Sequence, residues 1–181
     1  MTKTLYLLRH AKSGWDDPVA RDFDRPLNKR GEKAARTIGQ WMASNGVTFE
    51  HVIASPAMRV IETLDGVWAG YGRKMEPTWE RRIYLASSAT VLDVLREVDD
   101  AHDIIMVVGH CPAVEDLVFD LVPDDGSSPL RDEVEIKYPT AALAQLEIPI
   151  DHWADIGKPI AHLKRFVRPR DLDSSLGPDE E

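Results

Sequence analysis

Residues 104–110 read IIMVVGH, five apolar side chains closed by a glycine and a histidine. An apolar run without polar alternation marks a strand covered on both faces, the habit of a parallel sheet lying between helices. Upstream, residues 4–8 (TLYLL) have the same character and end on Arg9-His10, and His51 to Ala54 is a third, shorter strand. Between these strands lie helix signals. Asn28 is placed to cap a helix in which Ala34, Ala35, Ile38, Trp41 and Met42 share one face, and Asn45-Gly46 closes it. Ser55-Pro56 predicts the next helix start, with Ser as the cap and Pro at the first helical position. Ala57, Val60, Ile61, Leu64, Val67 and Trp68 give that helix its apolar face. Ser88 or Thr90 opens a third helix carrying Val91, Val94, Leu95 and Val98. Downstream, Pro112 opens a fourth, with Val114, Leu117, Val118 and Leu121 inward. Ala142, Ala144, Leu146 and Ile148 alternate as a half-buried strand, and Ala161 to Val167 is another. Residues 123–140 are the least regular and read as a flap or a long loop. Strand and helix in alternation predict an α/β domain with a largely parallel sheet and right-handed crossovers.

The chain has 181 residues, which predicts one domain, assigned to residues 1–170. Residues 171–181 (DLDSSLGPDEE) are acidic, contain Gly and Pro, and read as a disordered tail. With 22 Lys+Arg against 31 Asp+Glu, the net charge is −9. That balance argues against a general nucleic-acid binder, which needs a basic face to displace counterions. It leaves room for an anion in a local basic pocket. The single cysteine, Cys111, excludes an internal disulfide framework and the multi-cysteine zinc sites, and points to a reducing, cytoplasmic compartment. No apolar run approaches the ~20 residues of a membrane helix.

In open α/β sheets ligands bind at the carboxyl ends of the strands. Arg9 and His10 follow the first strand, Arg59 stands one turn into the helix after the second, and Gly109-His110 follow the long apolar strand. Two arginines and two histidines thus converge on one sheet edge, where helix starts also aim N–H groups. They would repel one another without an anion between them. A phosphoryl group satisfies the set, since arginine grips its oxygens in a bidentate fork. A thiol phosphatase is excluded, because the arginine its loop needs after His110-Cys111 would fall at Leu117. The six histidines make no HxxxH or HxH pair for a metal, and no glycine-rich phosphate loop is present.

Leu7-Leu8-Arg9-His10-Ala11-Lys12-Ser13 resembles the RHG signature of the histidine phosphatase superfamily. Ser55-Pro56-Ala57-Met58-Arg59 is similar to its second motif and Gly109-His110 to its third. Residues 22–31 (DFDRPLNKRG) and 138–142 (YPTAA) resemble segments of the SixA-type phosphohistidine phosphatase branch. The resemblance spans about residues 4 to 167. It implies a three-layer α/β/α fold with a central, mostly parallel mixed sheet, like that of phosphoglycerate mutase, and no metal or other cofactor. It implies that His10 is the nucleophile, that Arg9 and Arg59 hold the phosphoryl oxygens, and that His110 donates to them.

A histidine nucleophile must be neutral at the attacking nitrogen, and an ordinary pKa of about 6.5 permits that near neutrality. Its other nitrogen needs an acceptor that fixes the tautomer. Ala11 stands where the signature usually has glycine. Ser13, Asp16, Asp22 and Glu80 are the further substrate-contacting candidates, and Asp16, Asp17, Asp22 and Glu80 the rivals for proton donor. A phosphomonoester leaves as an alkoxide and needs that proton, whereas phosphohistidine leaves as imidazole. A site with a poor acid therefore favours P–N over P–O bonds. The expected substrate is phosphohistidine on a protein, such as a phosphorelay domain. The alternatives are a small phosphorylated metabolite and, in another class, a non-catalytic module that binds a phosphorylated ligand.

Overall fold

The structure, a computed structural model, describes residues 1–14 and 21–177. Six strands form one sheet: β1 (Lys3–Arg9), β2 (His51–Ala54), β3 (Thr78–Trp79), β4 (Ile104–Gly109), β5 (Leu143–Ile148) and β6 (His162–Val167), in the order β3-β2-β4-β1-β5-β6. The first four are mutually parallel, and β5 and β6 run antiparallel at the other edge. The sheet is therefore mixed and mostly parallel, as expected.

Alternate residues of a strand face opposite sides. Leu5 and Leu7 of β1 join Ile105 and Val107 of β4 in a core beneath α3 (Ser88–Arg96) and α4 (Ala113–Leu121). Tyr6 and Leu8 join Met106 and Val108 in the opposite core, beneath α1 (Lys29–Ser44) and α2 (Met58–Tyr71). The result is a three-layer α/β/α sandwich. Asn28 caps α1 by accepting from the Gly31 N–H at 2.8 Å. Gly46, at φ 66°, follows the helix's end.

The helices α1 and α2 meet backbone to backbone. A Cβ on Gly39 would stand 2.2 Å from the Val67 carbonyl oxygen, and one on Gly70 would stand 2.1 Å from that of Arg36. In a free helix Gly→Ala gains about 1 kcal/mol. Here the helices must separate to admit a methyl group, and overpacking costs about 1–3 kcal/mol or more. Gly70→Ala is expected to lose about 2 kcal/mol net, lowering Tm by about 4–8 °C for a chain of this size. A thermal melt that showed the variant as stable as the parent would refute the close packing.

Several expectations need correction. Ser55-Pro56 does not start a helix: α2 begins at Met58 after Ala57, which makes no side-chain cap. The Ser55 hydroxyl is engaged elsewhere, by His110. Residues 123–140 are not one long loop, because α5 (Pro129–Ile136) lies within them. Ser128 caps it, accepting from the Arg131 N–H at 3.2 Å, and Pro129 takes the first position. The third helix, α3, does open at Ser88, one of the two starts expected, with Ser87 before it as the cap. β5 is buried almost throughout rather than on one face, since β1 and β6 flank it and both cores use it. Finally, composition hid the order in residues 171–177. Pro169–Leu172 forms a short helix, α6, and Leu176 is buried against the α1 side of the sheet. Residues 178–181 lie outside the described part.

Candidate active site

Sheet register assembles the site. Arg9 is paired with Gly109, so the residues after them, His10 and His110, leave neighbouring parallel strands side by side. The His10 N–H donates to the Gly109 carbonyl at 3.0 Å, and the two imidazole centroids stand 5.3 Å apart. From the other flank, α2 delivers Arg59, which is buried. Arg9, His10, Arg59 and His110, the four residues expected from the strand ends, share one open cleft of about 460 Å³ with Ser13, Asp22, Arg25 and Cys111.

The His10 ring is fixed by an acceptor that sequence did not name. Its Nδ1 lies 2.7 Å from the Ala11 carbonyl oxygen. A carbonyl only accepts, so Nδ1 carries the proton and Nε2 keeps its lone pair. Burial lowers the His10 pKa to about 3, and the neighbouring His110, Arg9 and Arg59 push the same way against the Ala11 carbonyl. The ring is thus neutral at pH 7. Ala11 itself is held through Thr63: the Ala11 N–H donates to Thr63 Oγ1 (2.8 Å), and that hydroxyl donates to the Arg59 carbonyl (2.6 Å). The loop that carries His10 and the helix that carries Arg59 are therefore one hydrogen-bonded unit. Among the described non-glycine residues, positive φ occurs at Leu85 and Ala141, so Ala11 occupies ordinary backbone and needs no glycine.

His110 has the opposite polarity. Arg59 Nη2 approaches its Nδ1 at 3.3 Å and can only donate, which leaves Nε2–H to donate to Ser55 Oγ at 2.8 Å. Burial, then Arg59, lowers the His110 pKa to about 4, with Asp22 opposing. Arg9 donates from Nη1 to the Tyr138 carbonyl (2.8 Å), and the buried Tyr138 hydroxyl donates back to the Leu7 carbonyl (2.6 Å). The Arg59 Nε–H is buried and has no acceptor among the described residues.

Asp22 is the one carboxylate among the described residues lining the cleft. It accepts from Tyr84 Oη (2.6 Å), Arg59 Nη2 (3.1 Å) and Arg25 Nε (3.1 Å). Burial opposes its charge, but the Tyr84 hydroxyl and the two guanidiniums outweigh burial and hold the carboxyl at about 2. In this arrangement it has no proton to give at pH 7; it orients Arg59 and Arg25. Ser13 Oγ accepts from Arg25 Nη1 at 2.6 Å. Glu80 does not line the cleft. Arg82 Nε and Nη2 each hold its carboxylate at 3.0 Å, and Arg82 is itself paired with Glu97. The candidacy of Glu80 is corrected on that geometry: Arg82, two residues on, captures the side chain at the surface. Asp16 and Asp17 lie outside the described residues. Cys111 lines the cleft, but burial pushes its thiol up to about 11, so it carries no thiolate at neutral pH. Sequence reasoning missed Arg25, Ser55, Thr63, Tyr84 and Tyr138. Arg25, Ser55 and Tyr138 lie within the motifs quoted above without a role in the site assigned to them, and Thr63 stands one helical turn after Arg59; Tyr84 had no such signal.

The histidine pKa values carry a stability prediction. Unfolded His10 protonates below about 6.5, while folded His10 stays neutral to about 3. The unfolded state therefore binds more protons in that window, and stability falls with pH from about 6.5 toward 3. From pH 7 to pH 5 this costs about 2 kcal/mol for His10 alone. Denaturant unfolding of His10→Ala should show a drop smaller by that amount than the parent's; equal drops would mean the ring is not neutral in the fold.

A sequence profile described as "Histidine phosphatase superfamily (branch 1)" matches residues 5–82. An uncharacterized protein of Mycobacterium tuberculosis (strain H37Rv) is 34% identical over 164 residues, covering 90% of this chain and all of that protein. With these matches and this site, the chain belongs to the histidine phosphatase superfamily and is a phosphatase by class. Within the superfamily it is SixA-like. The phosphohistidine phosphatase SixA of Escherichia coli (strain K12) is 27% identical over 135 residues, 67% of this chain and 75% of that protein. A solved structure assigned as SixA of Agrobacterium tumefaciens superposes with a TM-score of 0.78 at 27% identity, over 92% of this chain and 98% of that one.

Proposed function

We propose that this chain removes phosphate from phosphohistidine on a protein through a phospho-His10 intermediate. His10 Nε2 attacks phosphorus. The P–N bond to the substrate breaks, its electron pair stays on the departing imidazole, and that imidazole takes a proton from water. Arg9, Arg59 and Arg25 neutralise the phosphoryl oxygens, and a bound dianion raises the pKa of His110 so that its Nδ1–H can donate as well. Ser55 Oγ accommodates either His110 tautomer, because a hydroxyl both donates and accepts. Water then attacks phosphorus, the P–Nε2 bond breaks, the water proton passes to solvent, and phosphate leaves. Splitting the displacement in two lowers each barrier.

The observation that carries the substrate class is the state of Asp22. The carboxylate in the described cleft is held ionised by two guanidiniums and a tyrosine hydroxyl. An alkoxide leaving group needs a general acid worth about 10²–10⁴-fold, and an imidazole needs it far less. Phosphate release from a histidine-phosphorylated phosphorelay domain and from phosphoserine, an alkyl ester with an alkoxide leaving group, both with a chelator present, tests the reading. Faster release from the phosphohistidine is expected. Preference for the ester would move the search to small phosphorylated metabolites, and release from neither would favour a binding module.

A further inference from the structure

We infer that Leu85 is a specificity-determining residue: its side chain covers the imidazole ring that departs when the phosphoryl group passes to His10, an inference that rests on the phosphohistidine reading. Among the large apolar side chains exposed in the described residues, Leu85 is the one that lines the catalytic cleft. It is 59% exposed, whereas His10, Arg25, Arg59 and His110 in the same cleft are buried. Leu85 therefore stands at the mouth, and these groups stand at the floor.

An exposed leucine by itself is ordinary. This one is held in a backbone conformation that leucine avoids. Leu85 has φ 50°, and Tyr84 before it has φ −72° and ψ 117°. Those angles match the central pair of a type II turn, whose second position takes positive φ and normally carries glycine or asparagine. The other non-glycine residue of positive φ among those described, Ala141, is accounted for by its N–H, which donates to the carbonyls of Arg9 (3.1 Å) and His10 (3.0 Å). Strain of this kind gathers at functional sites, where the surroundings hold it in place. Tyr84 holds it here. Its hydroxyl donates to Asp22 (2.6 Å), and its ring meets those of Phe23 (5.1 Å) and His110 (5.5 Å) edge-on. The turn is thus fixed to the site, with Leu85 displayed beside it.

Displacement at phosphorus sets the leaving group in line with the attacking nitrogen, on the side away from it. With His10 at the floor, that side is the mouth. The cleft, about 460 Å³, falls within the range of small-molecule sites and has room for a ring as well as a phosphoryl group. An isobutyl side chain gives nothing to a charged or hydroxylated leaving group. A planar ring gains from it, because both surrender apolar surface to the contact. Glycine would suit the turn better and would leave the ring uncovered.

Two small P–N substrates isolate the contact from the chemistry: N-phosphoimidazole, which loses a ring, and phosphoramidate, which loses ammonia. The quantity read is the ratio of their kcat/KM values on the full chain. Leu85→Gly should lower that ratio about tenfold or more, chiefly through KM, because a contact made alike to substrate and transition state is uniform binding. Leu85→Met keeps an apolar side chain of similar volume and should hold the ratio within about twofold of the parent's. A thermal melt separates this role from a structural one: Leu85→Gly should melt at or above the parent, since glycine relieves the turn. A ratio untouched by Leu85→Gly would overturn the assignment, as would a Leu85→Met ratio that falls as far. A Tm lowered by about 4 °C or more in Leu85→Gly would also overturn it, making Leu85 a packing residue. The phosphohistidine reading fails by a different result, a parent that prefers phosphoserine to the phosphorelay domain, and the probe ratio is read independently of it.

Discussion

His10→Ala is expected to abolish phosphate release, by about 10⁴-fold or more, because it removes the proposed nucleophile and not an auxiliary group. With it goes the intermediate. Enzyme mixed with labelled substrate and quenched in alkali should retain one acid-labile phosphate per chain, and the variant none. The geometry makes His10 Nε2 the natural acceptor: Nδ1 is committed to the Ala11 carbonyl, and the ring is neutral far below pH 7. Cys111 lies in the same cleft with its thiol protonated. Residual turnover within tenfold of the parent would remove the covalent route. Loss of fold is not the expected explanation of inactivity, because losing a buried neutral imidazole relieves acid sensitivity; a circular dichroism spectrum checks this.

The second large effect is at Arg59. Its guanidinium donates to the Asp22 carbonyl (2.8 Å) and carboxylate, reaches His110 Nδ1, and keeps a buried Nε–H without an acceptor among the described residues. Removing one preorganised donor to transition-state charge costs about 10²–10³-fold. Arg59→Ala should fall at or beyond the upper end, because it also releases Asp22 and changes the field at both histidines. The loss should appear equally in kcat and kcat/KM, the mark of an interaction made in the transition state. Arg59→Lys should rescue little, since an ammonium lacks the planar fork that holds Asp22 and His110 together. A variant impaired in KM alone would assign Arg59 to binding instead.

The parts of the molecule that sequence made legible are those that local physics dictates. The apolar runs at residues 4–8 and 104–108 are strands because both their faces are covered, and the residues that close them fall at one sheet edge by register. The site's outline follows from that alone. What stayed hidden depends on contacts across the chain. Ser55 has the local chemistry of a helix cap, but His110, 55 positions away, takes its hydroxyl. Tyr84 reaches Asp22 from 62 positions away, and no periodicity announces such a meeting. Glu80 directly follows β3, yet its side chain is decided by Arg82. Leu176 is one of two leucines in an acidic stretch, and composition averages it away.

The pairing of β1 has a consequence for how the molecule is made. β1 is flanked by β4 and β5, and the His10 carbonyl accepts from Ala141, more than a hundred residues later in the chain. A ribosome adding about 5–20 residues per second delivers His10 several seconds before the segments that hold it. During that interval an apolar strand waits without neighbours on either edge. The earliest-made part of the site is thus the last to be completed, when β5 pairs with β1.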